Sequence, residues 1–290
     1  MSALAIDLGG TNLRAALARD AAVEPLPLGR WDAPRDLDTF RGRIEALIAE
    51  HSTDRLGVAV PGLARGTVCN WIPNLPFLDG VDLASLFPGL RIALGNDAQL
   101  SLLAEAAAGA AKDAKNAILL AIGTGIGSAV LADGRILHGE GGAAASFGWA
   151  CADPTDAGDD AHGWLERVAS GRALDRIAAD RGLAYGPALV ALARRGEAGA
   201  MAALAPPMRS LGTALAGAVA LTGARLVVFA GGVAESIDVF RPLVLPALTR
   251  QLPPHLRDVR LAAGNFGPRA ALMGAALAAH GHPAWLENGS

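Results

Sequence analysis

The sequence predicts an α/β protein that uses one structural pattern twice, in two lobes with a cleft between them. Three observations carry that expectation. An apolar strand, a glycine-rich tip and a returning strand open the chain, and the same arrangement recurs near residue 120. Each hairpin is followed by apolar strand segments that alternate with helical ones. The 290 residues exceed one ordinary domain of roughly 100 to 200.

Taken in order, Leu4 to Leu8 reads as a buried strand that breaks at Gly9-Gly10, and Asn12 to Ala18 returns. Asp38 to His51 has helical periodicity, and Leu56 to Val60 is a strand ending at Pro61-Gly62. A loop-rich stretch runs through Pro73-Asn74-Leu75-Pro76. A strand at Arg91 to Leu94 meets Gly95-Asn96-Asp97, and a helix is predicted over Ala98 to Ala110. The second hairpin has its strand at Ile118 to Ile122, its tip at Gly123-Thr124-Gly125-Ile126-Gly127 and its return at Ser128 to Leu131. Helices follow near His162 to Ser170, Arg172 to Arg181, Gly186 to Arg195 and Met201 to Thr222. A strand at Leu226 to Ala230, the pair Gly231-Gly232 and a helix at Arg269 to Ala279 complete the chain. The lobe boundary is placed near Gly109 to Ala114, which divides the protein into residues 1–112 and 113–290.

Composition narrows the function. Hydrophobic residues at 52% and charged residues at 18% exclude a disordered chain. A net charge of −3 supplies no basic field for nucleic acid or anionic membranes, so neither is an expected partner. Cys69 and Cys151 stand far apart, in no metal-ligand spacing, which fits reduced thiols in a cytoplasmic protein. The N-terminus has no signal-peptide pattern, and the apolar stretch Ala214 to Val233 is interrupted by Arg225 and a glycine pair.

The chemistry is concentrated at the glycine-rich turns. Asp7 ends a strand beside a tip of small residues, Gly9 to Asn12, whose backbone N–H groups can approach an anion such as a phosphate with its magnesium. An ordinary tight hairpin with an incidental Asp would read the same. The second tip favours the functional reading, because two such ribbons can clamp a polyphosphate. Neither is a Walker loop, since both lack Lys. Gly231-Gly232 offers bare backbone for adenine or ribose, or a plain strand-to-helix turn. Asn96-Asp97 precedes a helix and suits an N-cap; Asp97 also suits a general base that takes the proton of an attacking hydroxyl, and the two roles are compatible.

Asp7-Leu8-Gly9-Gly10-Thr11-Asn12-Leu13-Arg14, Pro73-Asn74-Leu75, Gly95-Asn96-Asp97-Ala98, Gly123-Thr124-Gly125-Ile126-Gly127, Leu165-Glu166 before Ala169-Ser170-Gly171, and Gly231-Gly232-Val233 occur in the order seen in the ROK family. The chain therefore resembles that family of glucokinase-like sugar kinases and related repressors over nearly its whole length. The resemblance implies the duplicated actin/hexokinase-type (ribonuclease H-like) fold and an ATP-dependent kinase acting on a small polyol. It makes Asp97 the catalytic base and gives the acceptor's hydroxyls to Gly62, Asn74, Asn96, Gly125 and Glu166. ATP with Mg2+ falls to Asp7, Gly9, Gly10, Thr11, Asn12, Arg14, Gly123, Thr124, Gly125, Gly231 and Gly232, with Asp7 holding the metal through water. It also implies a homodimer. The repressors' helix-turn-helix domain is not expected, because the first hairpin starts at residue 4.

The sequence departs from the family at two places. Where the family carries a Glu-x-Gly-His element, this chain reads Ser146-Phe147-Gly148-Trp149. Two polar grips on the sugar's anomeric end become a short hydroxyl and an indole. An acceptor other than plain glucose is therefore expected, a modified sugar or a C7-cyclitol of the valiolone type. Trp149 also suits a core aromatic. The family's cysteine-rich zinc module would lie between Cys151 and Glu166, but one Cys and His162 cannot close a four-ligand site, so no zinc is expected. The Asp-rich run there reads as a solvated loop. Three alternatives remain: an ordinary glucokinase or N-acyl-hexosamine kinase, a non-catalytic sugar or nucleotide sensor, and an ATPase of the actin or chaperone type.

Overall fold

The computed structural model describes residues 2–20 and 24–285, which group into two compact units. The first comprises Met1–Lys112, Gly134–Ala144 and Pro268–Ser290; the second comprises Asp113–Asp133 and Ala145–Gly267.

The first unit is organised on β1 (Ala3–Leu8), a strand buried along its whole length. β2 (Asn12–Ala18) and β3 (Leu26–Asp32) add to one side as antiparallel strands, while β4 (Arg55–Val60) and β7 (Arg91–Asn96) add to the other side in parallel. Between the last two lie the hairpin β5 (Leu63–Arg65) and β6 (Val68–Trp71) and the short helix α2 (Leu83–Leu86). Helix α1 (Leu37–His51) starts where Asp36 accepts the Thr39 N–H at 2.7 Å, and it buries Phe40, Ile44 and Leu47 against the sheet. Helix α3 (Asp97–Ala108) follows β7 without an intervening loop.

Helix α9 (Ala270–Ala279) packs close to both the sheet and α3, and glycine makes that approach possible. A Cβ on Gly274 would stand 1.8 Å from the Leu100 carbonyl oxygen, and one on Gly57 would stand 2.0 Å from that of Ala275. This packing places residues 268–285 with the first unit, together with residues 134–144 and their short strand β10 (Arg135–Ile136), whose Ile136 N–H donates to the Ala284 carbonyl. The expected division into residues 1–112 and 113–290 shares the boundary at Lys112 and differs from this grouping at residues 134–144 and 268–285.

The second unit repeats the grammar. β8 (Ala117–Ile122) pairs antiparallel with β9 (Ile126–Ala132) and parallel with β11 (Leu226–Ala230), which pairs parallel with β12 (Arg260–Ala263). The order β9-β8-β11-β12 matches β2-β1-β4-β7 in direction and sequence, so the duplication is present in the hydrogen-bond ladders. The second tip is shorter than the sequence suggests, because Ile126 and Gly127 already pair with Ile122 and Ala121. Helices α4 (Trp164–Ala169), α5 (Gly171–Ala179), α6 (Gly186–Arg194), α7 (Ala198–Thr222) and α8 (Ile237–Arg250) enclose a core that includes Phe229, Phe240, Leu211 and Val244. No helix among the described residues is long and apolar enough to cross a membrane.

Candidate active site

In the first unit, the β1–β2 register sets Asp7 opposite Arg14, and the two side chains form an ion pair. Arg14 also donates through Nη1 to the Pro268 carbonyl at 2.7 Å, which anchors the guanidinium that pairs with Asp7. Burial pushes the Asp7 carboxyl up and the Arg14 guanidinium opposes it. The tip closes through the Gly9 N–H to the Asn12 carbonyl at 2.9 Å. Thr11 is exposed on it, and the Asn12 Oδ1 accepts from Arg30 Nε at 2.9 Å. A Cβ on Gly10 would lie 3.0 Å from that of Asn74, so tip and Asn74 are neighbours although 64 positions separate them.

Asn96 ends β7 and caps α3. Its Oδ1 accepts the Ala98 N–H at 2.9 Å and its Nδ2 donates to the Gly62 carbonyl at 3.0 Å. Such a cap contributes about 1 kcal/mol. Gly62 is packed so closely that a Cβ there would meet the Trp71 carbonyl oxygen at 2.2 Å. Both Asn96 and Gly62 thus hold the strand-to-helix corner in place, and what they position is Asp97. The Asp97 Oδ1 accepts the Ala98 N–H at 2.7 Å. Burial, then the charge of Asp7, push the Asp97 carboxyl up to about 6 against that hydrogen bond. A partly exposed carboxylate with this proton affinity suits proton transfer near neutral pH.

In the second unit, Glu166 bonds to the hairpin. Its Oε1 accepts the Ile126 N–H at 2.8 Å, and a Cβ on Gly125 would stand 2.5 Å from that oxygen. Gly148 packs on the same side chain, with 2.8 Å from a Cβ there to the Glu166 Cγ. Trp149 directly follows Gly148 in the chain. Trp149 is 48% exposed, which removes the reading of it as a core aromatic.

The Gly123 carbonyl accepts the Gly171 N–H at 2.7 Å, so the N-terminus of α5 abuts the tip. Gly231 has φ +73°, and a Cβ on it would lie 2.6 Å from the Ile122 carbonyl oxygen. Gly123, Thr124 and Gly232 line a cavity of about 400 Å3 together with Arg172, Asp175, Tyr185, Val233 and Phe240. Its apolar walls beside exposed tip backbone fit a flat base carrying phosphates. Sequence reasoning missed Arg172, Asp175 and Tyr185. Arg172 directly follows the Ala169-Ser170-Gly171 motif, which is the one local signal that pointed to it.

The loop from Cys151 to Gly163 is held by hydrogen bonds. Asp156 takes a two-pronged contact from Arg167, at 2.7 and 3.2 Å, and Asp159 accepts the N–H groups of Ala161 and His162. Among the described residues no group of three or more His, Cys, Asp or Glu side chains is arranged to hold a metal ion. For magnesium the relevant group is Asp7, whose Oδ2 is taken by Arg14 and whose Oδ1 has no protein donor among the described residues. One carboxylate oxygen beside a phosphate tip fits an ion that keeps most of its water.

Comparison with known proteins follows the same outline. The profile described as the ROK family matches residues 3–282. The N-acetylmannosamine kinase of Citrobacter koseri (strain ATCC BAA-895 / CDC 4225-83 / SGSC4696) is 32% identical, over 97% of this chain and 99% of that protein. The enzyme of the same name from Escherichia coli O9:H4 (strain HS) is 30% identical with the same coverage. The crystal structure of the ROK hexokinase from Thermus thermophilus superposes with a TM-score of 0.79 at 27% identity, over 97% of this chain and 98% of that one. The fold is of the actin/hexokinase-like α/β kind.

Proposed function

Because the chain belongs to the ROK family, whose similar members are phosphotransferases with hydroxyl acceptors, we propose that it moves the terminal phosphoryl group of ATP onto a hydroxyl of a hexose-like polyol. The observation that carries this reading is Asp97, a partly exposed carboxylate on a rigid strand-to-helix corner with its proton affinity raised to about 6. In the reaction Asp97 accepts the proton of the attacking hydroxyl as the oxygen–phosphorus bond forms. The transfer demands that the acceptor oxygen and the γ-phosphorus come within roughly 3 to 3.5 Å. Asn74 and Glu166 each take an acceptor hydroxyl, and the Gly123–Gly125 backbone with the 400 Å3 cavity takes the nucleotide. Asp7 would hold a magnesium ion through water, and the ion would supply neutralisation of the phosphate charge. The enzyme on this reading is cytoplasmic, where ATP is, and homodimeric.

The acceptor is not plain glucose. Trp149, which follows the Gly148 that packs on Glu166, presents an exposed indole, and Ser146 offers only a short hydroxyl; this pair favours a modified sugar or a C7-cyclitol such as a valiolone. A second reading, an N-acyl-hexosamine, is favoured by the names of the relatives. A coupled ADP-release assay with glucose, N-acetylmannosamine, N-acetylglucosamine and valiolone separates these. Turnover of glucose with a higher kcat/KM than every substituted or carbocyclic acceptor would overturn the specificity. No ADP release with any polyol, with nucleotide binding intact, would make the protein a sensor instead.

A further inference from the structure

We propose that Arg172 binds the phosphates of the nucleotide donor in the second unit, an assignment that rests on the kinase reading above. Arg172 lines the cavity that also contains Gly123, Thr124 and Gly232. Its guanidinium is pre-set: Nε donates to the Thr124 carbonyl at 3.2 Å, and Nη1 lies 3.3 Å from the His162 Nε2. An arginine has five N–H donors. These two contacts leave three unspent, including both on Nη2.

Neither contact is to a carboxylate, so no acidic group opposes the charge. Arg167, Arg194 and Arg225 each have an aspartate partner, while Arg172 has no acidic partner among the described residues. Asp175 lines the same cavity, but its Oδ1 is engaged by the Gly186 N–H at 2.7 Å and it makes no ion pair with Arg172.

The placement is also electrostatically adverse in the empty protein. Arg172 is the second residue of α5, at the positive end of the helix macrodipole, where a cation is disfavoured and an anion favoured. The Gly171 N–H at the same end already points at the Gly123 carbonyl. A fork of donors held beside a glycine tip, at a helix end that repels it, is relieved when a di- or triphosphate arrives, and arginine matches phosphate geometry with paired N–H groups. Tyr185, Val233 and Phe240 leave the base to the other wall of the cavity.

Calorimetric titration of the full chain with ATP, ADP and adenosine tests this, using wild type, Arg172→Gln and Arg172→Lys. Arg172→Gln is expected to weaken ATP and ADP about tenfold and adenosine less than about twofold, with Arg172→Lys between. The Tm of ligand-free Arg172→Gln is expected to equal or exceed that of wild type, which a structural role for Arg172 would not produce. Unchanged ADP affinity, or an equal loss for adenosine, overturns the assignment while leaving the kinase reading in place. Failure of wild type to bind ADP or ATP at all overturns the kinase reading and this assignment with it.

Discussion

Asp7 and Asp97 repel each other within the first unit: after burial, the Asp7 charge is the largest influence that raises the Asp97 carboxyl to about 6. The same sheet provides the counterweight, since the β1–β2 register gives Asp7 the guanidinium of Arg14 and gives Asp97 only a backbone N–H. Two carboxylates of the first unit thus meet different surroundings. At Asp7 the arginine opposes the upward push of burial, and at Asp97 the Asp7 charge adds to it.

That upward push on Asp97 predicts a pH profile. Asp97 acts as a base only when ionised, so kcat is expected to be level above about pH 7 and to fall roughly tenfold per pH unit well below about 6. Arg14→Gln leaves the Asp7 charge uncompensated and is expected to move the fall to a different pH. A profile that continues flat to pH 5 in wild type would remove Asp97 from the chemistry.

Replacing the base should separate catalysis from folding. Asp97→Asn is expected to lower kcat by about 10²- to 10⁴-fold while ADP affinity stays within about twofold. Stability should move the other way. A carboxyl whose folded pKa is raised from 3.8 to about 6 makes the fold lose stability as pH rises through that window, and the loss persists above it. The asparagine variant is therefore expected to be more stable than wild type at pH 8, by at most about 3 kcal/mol, with the gap closing near pH 4. Urea melts at the two pH values check this. A variant less stable than wild type at pH 8 contradicts the strain assigned to Asp97.

Gly125 offers a test of the second hairpin. Its φ is unremarkable, so the demand for glycine is steric: a methyl group would sit 2.5 Å from the Glu166 Oε1. Gly125→Ala is expected to push Glu166 off the Ile126 N–H and to raise the acceptor KM by about tenfold, with kcat changed less. Glu166→Gln keeps an acceptor for Ile126 and should be the milder variant. If the acceptor KM is the same in Gly125→Ala and wild type, Glu166 has no part in holding the acceptor.

Much of this arrangement is legible in the sequence because it is local. The strand, tip and return of each hairpin, and the Asn-Asp pair at a helix start, are signals within ten residues, and the ladders place them where the periodicity does. What is not legible has physical causes. Strand β3 is an exposed edge with Pro27 and no alternation, and β5 and β6 are only three and four residues long. Helix α8 contains Pro242 and Pro246, which read as breakers, and β12 is a four-residue strand without β-branched residues. The bond between Glu166 and Ile126 spans 40 positions, and no local pattern encodes it. The cavity around Arg172 draws on five separate segments, so its lining emerges only when the chain folds.

The loop between Cys151 and Gly163 carries a prediction about metal. Its three turn-forming aspartates, Asp153, Asp156 and Asp159, each accept backbone N–H groups, and Arg167 grips Asp156 with both Nη atoms. Hydrogen bonding holds each of these carboxyls below the usual carboxylate range. Donors and acceptors are matched without a cation, so chelator treatment is expected to leave the Tm unchanged and elemental analysis to find no stoichiometric zinc. Asp156→Ala is expected to lower the Tm and to speed proteolysis within the loop, because Arg167 then loses its partner. The depressed pKa values fix the direction with pH: the loop's contribution is present above the ordinary aspartate pKa of 3.8 and is lost as pH falls below it. Stoichiometric zinc in purified protein, or a Tm that drops on chelation, would show that a metal and not the Asp156–Arg167 contact holds this loop.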